Sequence, residues 1–509
     1  MLGAMVGLLG CLAGFSVDGQ EWPVVNHAAP AERLAGPRVA PELDRDRRLI
    51  NPASGWVLYD DAAGHVARAA DYWAAQDAAA RRYASIFYVR WRWAELEPTE
   101  GQYAWEHDAN FQALIAGARE RGLRLAFRVY VASRDNAAQA TPEYVRAAGA
   151  QGLDDQGAGG KQYWTPYLDD PVFQTKFAAF IAAFAKRFDQ PAEVDFIDAM
   201  GLGWWGEGHH LALRDPANKA AVLRWIIEAY RPFRRVLLGW QYNTEFGPQT
   251  DESAAIVGED YVIRRDGLGS KWFGDYERQR LAALWPRHPL LAEKCYWGGG
   301  DPAWIIAQDT KYGPNWKSWR DIDGAALADA LAFHANTLDL RTVADTRMWL
   351  TYPDLVQRFV REGGYRLAPV ELAWPRVVES GQPLIVEHTW ANFGCGVLPN
   401  LNRRWAGCYR PAFALLPAAG GQPPLGGQKA PGGQPVAKFV DTAAEPGEWL
   451  AGSAHAYRLA AAVKGVPAGD YRLAAAVLNT GASGLPDLQL GLRVPAEGAW
   501  YPVGPITIR

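Results

Sequence analysis

Ser85-Ile86-Phe87-Tyr88-Val89-Arg90 is a run of strand formers, the stretch 108–121 has helical character, and Leu123-Arg124-Leu125-Ala126-Phe127-Arg128-Val129-Tyr130-Val131 is a longer apolar run. Near-continuous apolar strands on either side of a helix indicate parallel strands covered on both faces. The pattern extends both ways. Upstream, Gly55-Trp56-Val57-Leu58-Tyr59 precedes an Ala-rich helical stretch at 64–82. Downstream, a helix over 172–188 leads to Val194–Met200, and one over 216–231 leads to Arg235–Trp240. Weaker runs follow at Asp260–Ile263, Pro289–Cys295 and Leu338–Val343. Eight strand candidates interleaved with helices predict a (β/α)8 TIM barrel over 50–360. No G-x-G-x-x-G follows the first run and no G-x-x-x-x-G-K-[ST] occurs, which argues against a dinucleotide or P-loop fold.

Near 365 helical periodicity stops. Short runs separated by Gly, Pro and Asn appear at Leu384–Trp390, Ala412–Leu416, Ala437–Val440, Tyr457–Val463, Tyr471–Leu478, Leu488–Val494 and Ile506–Ile508. They predict an antiparallel β-sandwich over 365–509. Within it, 417–435 is rich in Gly, Pro and Gln and is expected to be a loop. At the other end, residues 1–17 are apolar and uncharged, and Arg33 is the first basic residue. Residues 1–19 are therefore a candidate export leader, and Leu8-Leu9-Gly10-Cys11 resembles a lipoprotein cleavage box, with Cys11 as a candidate lipid anchor. A secreted, periplasmic or cell-surface protein is expected, with no membrane span. A Pro-rich, irregular lead-in separates this leader from the barrel, over about 20–50.

The 509 residues carry 52 Lys+Arg against 56 Asp+Glu, a net charge of -4, which argues against a nucleic-acid partner. Trp is abundant, with 23 residues beside 21 Tyr and 18 Phe. Such a content suits a large core or a surface that stacks on flat apolar faces, such as those of sugar rings. Four Cys include no C-x-x-C pair, so a structural zinc site is not expected. Cys395 and Cys408, 13 residues apart, are a candidate disulfide in an exported chain.

In such a barrel the reactive groups stand at the carboxyl ends of the strands. Strand four runs into Gly201-Leu202-Gly203-Trp204-Trp205-Gly206-Glu207-Gly208-His209-His210. Apolar Trp neighbours would desolvate Glu207 and raise its pKa, as a general acid requires. Strand seven ends Leu290-Leu291-Ala292-Glu293-Lys294-Cys295-Tyr296-Trp297, and a carboxyl after an apolar run is costly without a partner or a task. A structural ion pair with Arg90 or Arg128 is the alternative for Glu293. Paired carboxylates across a barrel mouth are the apparatus of glycoside hydrolysis. Arg128 on strand three and Tyr242 and Asn243 after strand five are candidates to line the site. Trp204, Trp205, Tyr296 and Trp297 are candidates to stack on sugars, with packing an equal alternative for each. Adjacent His209 and His210 diverge on an extended chain, and no H-E-x-x-H occurs, so neither metal nor cofactor is expected. Glu97, before Pro98, is expected to belong to its loop, and Glu387-His388-Thr389 to be structural.

One segment carries a resemblance. Arg90-Trp91-Arg92-Trp93-Ala94-Glu95-Leu96-Glu97-Pro98, followed by Gly101, Tyr103 and Trp105, resembles the strand-two signature of clan A glycoside hydrolases in the style of families 42 and 5. The resemblance covers roughly 50–350 of the chain. It implies Glu207 as acid/base at strand four, Glu293 as nucleophile at strand seven, and Arg90 as the residue that orients the nucleophile. The Gly-x-Gly-Trp-Trp-Gly-Glu-x-His form and the C-terminal β domain resemble a bacterial group known as domain of unknown function 4832. Gly206 departs from the clan, which has Asn there to bind a sugar 2-hydroxyl; His209 and Asn243 are candidates for that donor. The expectation is a retaining hydrolase of a poly- or oligosaccharide. The departure at Gly206 motivates the alternative, a non-catalytic carbohydrate-binding protein on a glycosidase-like barrel.

Overall fold

The computed structural model describes residues 12–17, 20–28, 34, 36–60, 66–135, 138–156, 158–242, 253–379, 381–418, 434–481 and 484–509. The chain divides into two compact units. One comprises Pro52–Gly364 with Asn402–Arg404; the other takes the described residues up to Asn51, Tyr365–Leu401 and Trp405–Arg509.

The first unit is a closed barrel of eight strands: β1 (Gly55–Tyr59), β2 (Ala84–Arg92), β3 (Arg124–Tyr130), β4 (Val194–Asp198), β5 (Leu237–Gln241), β6 (Val262–Leu268), β7 (Leu290–Lys294) and β8 (Ala335–Arg341). Neighbours follow chain order, every pairing is parallel, and β8 returns to β1. All eight strands arise where the apolar runs place them, within a few residues. Every residue of β2, β3, β4, β5, β7 and β8 is buried, which is why these strands read as continuous rather than alternating.

Helices pack on the outside. The helix Pro171–Phe188 shows how its sequence builds it: Asp170 accepts hydrogen bonds from the Val172 and Phe173 amides, and Pro171 occupies the first turn, where no amide is needed. Phe173, Phe177, Phe180, Phe184 and Phe188 then fall on one buried face. A β-hairpin, Gly152–Gln156 with Gln162–Pro166, is added between β3 and this helix.

The second unit holds two sheets. In the first, Leu12–Val17, Gln20–Asn26, Ala454–Ala462, Pro383–Asn392, Leu367–Ala373 and Arg38–Val39 lie side by side. In the second, the order is Val377–Val378, Tyr501–Ile508, Gly469–Asn479, Tyr409–Pro417 and Ala437–Val440, with Leu485–Pro486 also on Gly469–Asn479. His388 of the first sheet meets Phe413 of the second edge-on, with ring centroids 4.9 Å apart, so inner faces oppose each other as in a sandwich.

Several details differ from the sequence reading. The sheets are mixed, because Gln20–Asn26 pairs parallel with Ala454–Ala462 and Val377–Val378 pairs parallel with Tyr501–Ile508. The lead-in is not irregular throughout: it supplies the strand Gln20–Asn26, paired on both sides, and the two-residue edge strand Arg38–Val39. Leu12–Val17, within the leader candidate, pairs with Gln20–Asn26. Leu488–Val494 is not a strand; Leu492 makes one isolated bridge, to Leu43. Cys408 is a free thiol, so it forms no disulfide with Cys395. Cys11 and most of the 417–435 loop lie outside the described residues.

Candidate active site

Glu207 stands in the turn that follows β4. Gly203 and Gly206 are both in the left-handed region, at φ 69° and 70°. A Cβ on Gly203 would lie 2.4 Å from the His209 carbonyl oxygen, because the Trp204 amide donates to that same oxygen at 2.7 Å to close the turn. A Cβ on Gly206 would lie 3.0 Å from Tyr130 Cβ and 3.3 Å from Arg128 Cδ. An Asn at 206 would be strained in backbone and crowded by Arg128. The departure at this position thus has a local physical cause: the turn is drawn down onto β3, and Glu207 reaches Arg128.

Glu293 is carried by β7 and is 2% exposed. Arg264 of β6 donates to its Oε2, and Arg341 at the end of β8 approaches its Oε1 at 2.7 Å. These two arginines hold the carboxylate, and Arg90 adds to their pull. Arg90 lies with its guanidinium 4.8 Å from the Tyr59 ring centroid, and its charge favours the Glu293 carboxylate less than those of Arg341 and Arg264.

Asp198, at the end of β4, joins the two glutamates. Its Oδ2 accepts from Arg128 Nε at 2.8 Å, from Arg264 Nε at 3.3 Å and from the Tyr88 hydroxyl. Arg264 Nη2 also donates to the Tyr59 hydroxyl at 2.7 Å. Arg341 continues to Asp339 at 3.4 Å. The result is a chain of alternating charge across the barrel: Glu207, Arg128, Asp198, Arg264, Glu293, Arg341, Asp339. Buried charges persist only when paired in this way.

The chain treats its two glutamates differently. Burial raises the Glu207 pKa, and Arg128 opposes this only in part, while Asp266 and Glu293 add to it. Arg128 also pairs with Asp198 through two of its nitrogens. For Glu293 burial also acts upward, but Arg341, Arg264, Arg90 and Arg128 outweigh it and hold the carboxyl well below the usual carboxylate range. Environments that push two carboxyls apart in this sense separate an acid from a nucleophile or base. Burial raises Asp339 to about 6 against the pull of Arg341.

The remaining candidates divide. Arg128 is fully enclosed and pairs with Glu207 and Asp198. Trp205, in the left-handed region at φ 58°, is held by its indole nitrogen to Asp135 at 2.8 Å and meets His209 edge-on. Trp204 donates to Asp155 of the hairpin at 3.2 Å and stacks on His210. His209 Nε2 lies 3.8 Å from Glu207 Oε2. Trp297 is exposed, with the Arg341 guanidinium 5.2 Å from its ring. Tyr242 is buried in the apolar layer of the barrel, and Tyr296 is buried against Trp316 with its hydroxyl on Asp309. Asn243 lies outside the described residues. Glu97 holds its loop, accepting from Trp93, Tyr144 and the Gly101 amide.

Sequence reasoning missed Asp198, Arg264, Arg341, Asp339 and the tyrosines Tyr59 and Tyr88. A signal existed: Leu338-Asp339-Leu340-Arg341 alternates charge with leucine, which points both charges to one side of a strand. Beside the mouth, at the carboxyl ends of β1 and β8, a cavity of about 490 Å³ is lined by Asp60, Arg68, Asp71, Tyr72 and Thr342 among others. Among the described residues no group of three or more His, Cys, Asp or Glu is arranged to hold a metal, and no helix is long and apolar enough to cross a membrane.

No protein-family model matches the chain, and no curated protein matches it. Solved structures similar to it include the catalytic domain of a β-amylase from Paenibacillus polymyxa, at 11% identity and TM-score 0.38, covering 58% of this chain and 94% of that one. An exo-β-1,4-mannosidase from Opitutaceae bacterium strain TAV5 has 16% identity and TM-score 0.36, covering 63% and 58%. A GH30 endoxylanase from Clostridium papyrosolvens C71 has 10% identity and TM-score 0.34, covering 82% and 95%. At these values the fold assignment rests on the chain's own strand order. That order is a closed, all-parallel, eight-stranded barrel of the TIM type.

Proposed function

We propose that the protein is a retaining glycoside hydrolase of a poly- or oligosaccharide, with Glu207 as acid/base and Glu293 as nucleophile. The observation that carries this reading is the opposite treatment of the two buried carboxyls along one chain of charges. The ionised Glu293 attacks the anomeric carbon while Glu207 gives its proton to the departing glycosidic oxygen. A glycosyl ester on Glu293 results. Glu207, now a carboxylate, takes a proton from water, whose oxygen attacks the same carbon, frees Glu293 and leaves the anomeric configuration retained. Arg264 and Arg341 orient Glu293 and stabilise its anion. Export from a bacterial cell belongs to the same reading, on the apolar uncharged run at 1–17.

The test is hydrolysis of a panel of aryl α- and β-glycosides and soluble polysaccharides. Glu207→Gln and Glu293→Gln should each remove the activity found; unchanged hydrolysis by either refutes the assignment. The second reading, a carbohydrate-binding protein without turnover, is favoured by Gly206 and by the guanidinium already seated on Glu207. Sugar affinity with no product over the same panel would establish it.

A further inference from the structure

Among the described residues, every large aromatic side chain that is strongly exposed falls between positions 272 and 304: Trp272 at 60%, Tyr276 at 43%, Trp297 at 48% and Trp304 at 63%. The exposed indoles are thus confined to two segments rather than scattered over the chain. The three tryptophans sit on segments that follow β6 and β7, at the end of the barrel where Glu207 and Glu293 stand.

The two segments are fastened to each other. Buried Asp309 accepts the Lys271 amide at 2.9 Å and the Tyr296 hydroxyl at 2.8 Å, so it ties the neighbours of Trp272 and Trp297 to one carboxylate. Its other oxygen accepts the Lys311 and Tyr312 amides. Lys271 Nζ donates to the Gln308 carbonyl at 2.6 Å, and Gln308 ends the short helix that carries Trp304. Rings held on a braced frame lose little freedom on binding. The frame is also continuous with the site, because Arg341 lies against both Trp297 and Glu293.

We propose that Trp272, Trp297 and Trp304 form a platform that receives successive units of an extended glycan chain, running outward from Glu293. The proposal rests on the hydrolase reading for its direction but not for its binding. Separate indoles interspersed with Lys271, Asp301 and Gln308 suit a ligand with flat apolar faces and many hydroxyls; a lipid surface would call for a continuous apolar patch. Three indoles offer more stacking faces than one sugar ring uses, so the platform favours chains over monosaccharides.

The experiment is affinity electrophoresis of the full chain, carrying Glu207→Gln to suppress turnover, in gels containing soluble β-1,4-glucan, β-mannan or β-xylan. At least one polysaccharide should retard the protein. Adding Trp272→Ala and Trp304→Ala should weaken that retardation about tenfold or more while leaving the melting temperature unchanged. Retardation that survives both substitutions, or no retardation by any of the three glycans, overturns the platform. So does binding to phosphatidylcholine/phosphatidylglycerol vesicles that the same substitutions abolish. Full turnover by Glu207→Gln would instead defeat the hydrolase assignment and leave the platform intact.

Discussion

The two glutamates should respond to neutralisation with opposite signs. Glu293→Gln removes a charge that two buried guanidinium groups hold, and leaves Arg264 and Arg341 with only Asp198 and Asp339. Breaking a buried ion pair from one side costs about 3–5 kcal/mol. At ~2 °C per kcal/mol for a unit of this size, the barrel's melting temperature at pH 7 should fall by about 6–10 °C. Glu207→Gln imitates the protonated form that its burial already favours, so the melting temperature should hold or rise. The pH dependence follows the same signs. Glu293 has a lowered pKa, so its contribution is present above the unfolded carboxyl value near 4.5 and is lost as pH falls below it. Glu207 has a raised pKa, so its contribution is present at low pH and is lost as pH rises through its folded value. The assay is calorimetric melting of wild type and both variants between pH 4 and 8, within the reversible range, and it requires no substrate. Equal destabilisation by both substitutions, or a neutral Glu293→Gln, would refute the division of roles.

Two further outcomes follow from the same network. Asp198→Asn removes the anion that joins Arg128 to Arg264, so both carboxyls lose their positioning; kcat should fall by about a hundredfold with little change in KM, measured on whichever glycoside is turned over. Asp339, raised to about 6 by burial, makes a contribution to stability that is present below pH 4 and lost by pH 6. Asp339→Asn should therefore remove roughly 3 kcal/mol of pH dependence across that window, seen in denaturant titrations at pH 4, 5, 6 and 7.

The barrel was legible because its strands are buried on both faces and its helices carry strong local signals, such as Asp170-Pro171 before the phenylalanine stripe. Glu207 and Glu293, the proposed pair, stood out because each interrupts apolar or glycine-rich sequence at a strand end. Their partners were not. Which arginine meets Glu293 depends on the stagger of β6, β7 and β8, a property of the closed ring rather than of any segment. Arg90 therefore looked like the partner, while Arg264 stood just beyond the point where the sixth apolar run ended in the sequence reading. The same limit applies to the sandwich: Gln20–Asn26 pairs on one side with its neighbour Leu12–Val17, but joins the sheet through residues more than four hundred positions away. The burial of Tyr242 and Tyr296 was not legible for a simpler reason, since an aromatic after a strand can turn into the outer layer as easily as into the mouth.

The division of labour is tested most directly by varying the leaving group. Once a hydrolysed aryl glycoside is known, the 2,4-dinitrophenyl and the alkyl glycosides of that sugar should be compared in Glu207→Ala and Glu293→Ala. A dinitrophenolate leaves without protonation, so Glu207→Ala should form the glycosyl-enzyme from it at near wild-type rate, and azide should rescue turnover with retained configuration. With the alkyl leaving group the same variant should lose about 100- to 10,000-fold. Glu293→Ala should be inactive on both. Equal losses by Glu207→Ala on the two leaving groups, or hydrolysis surviving Glu293→Ala, would contradict the roles assigned to these residues.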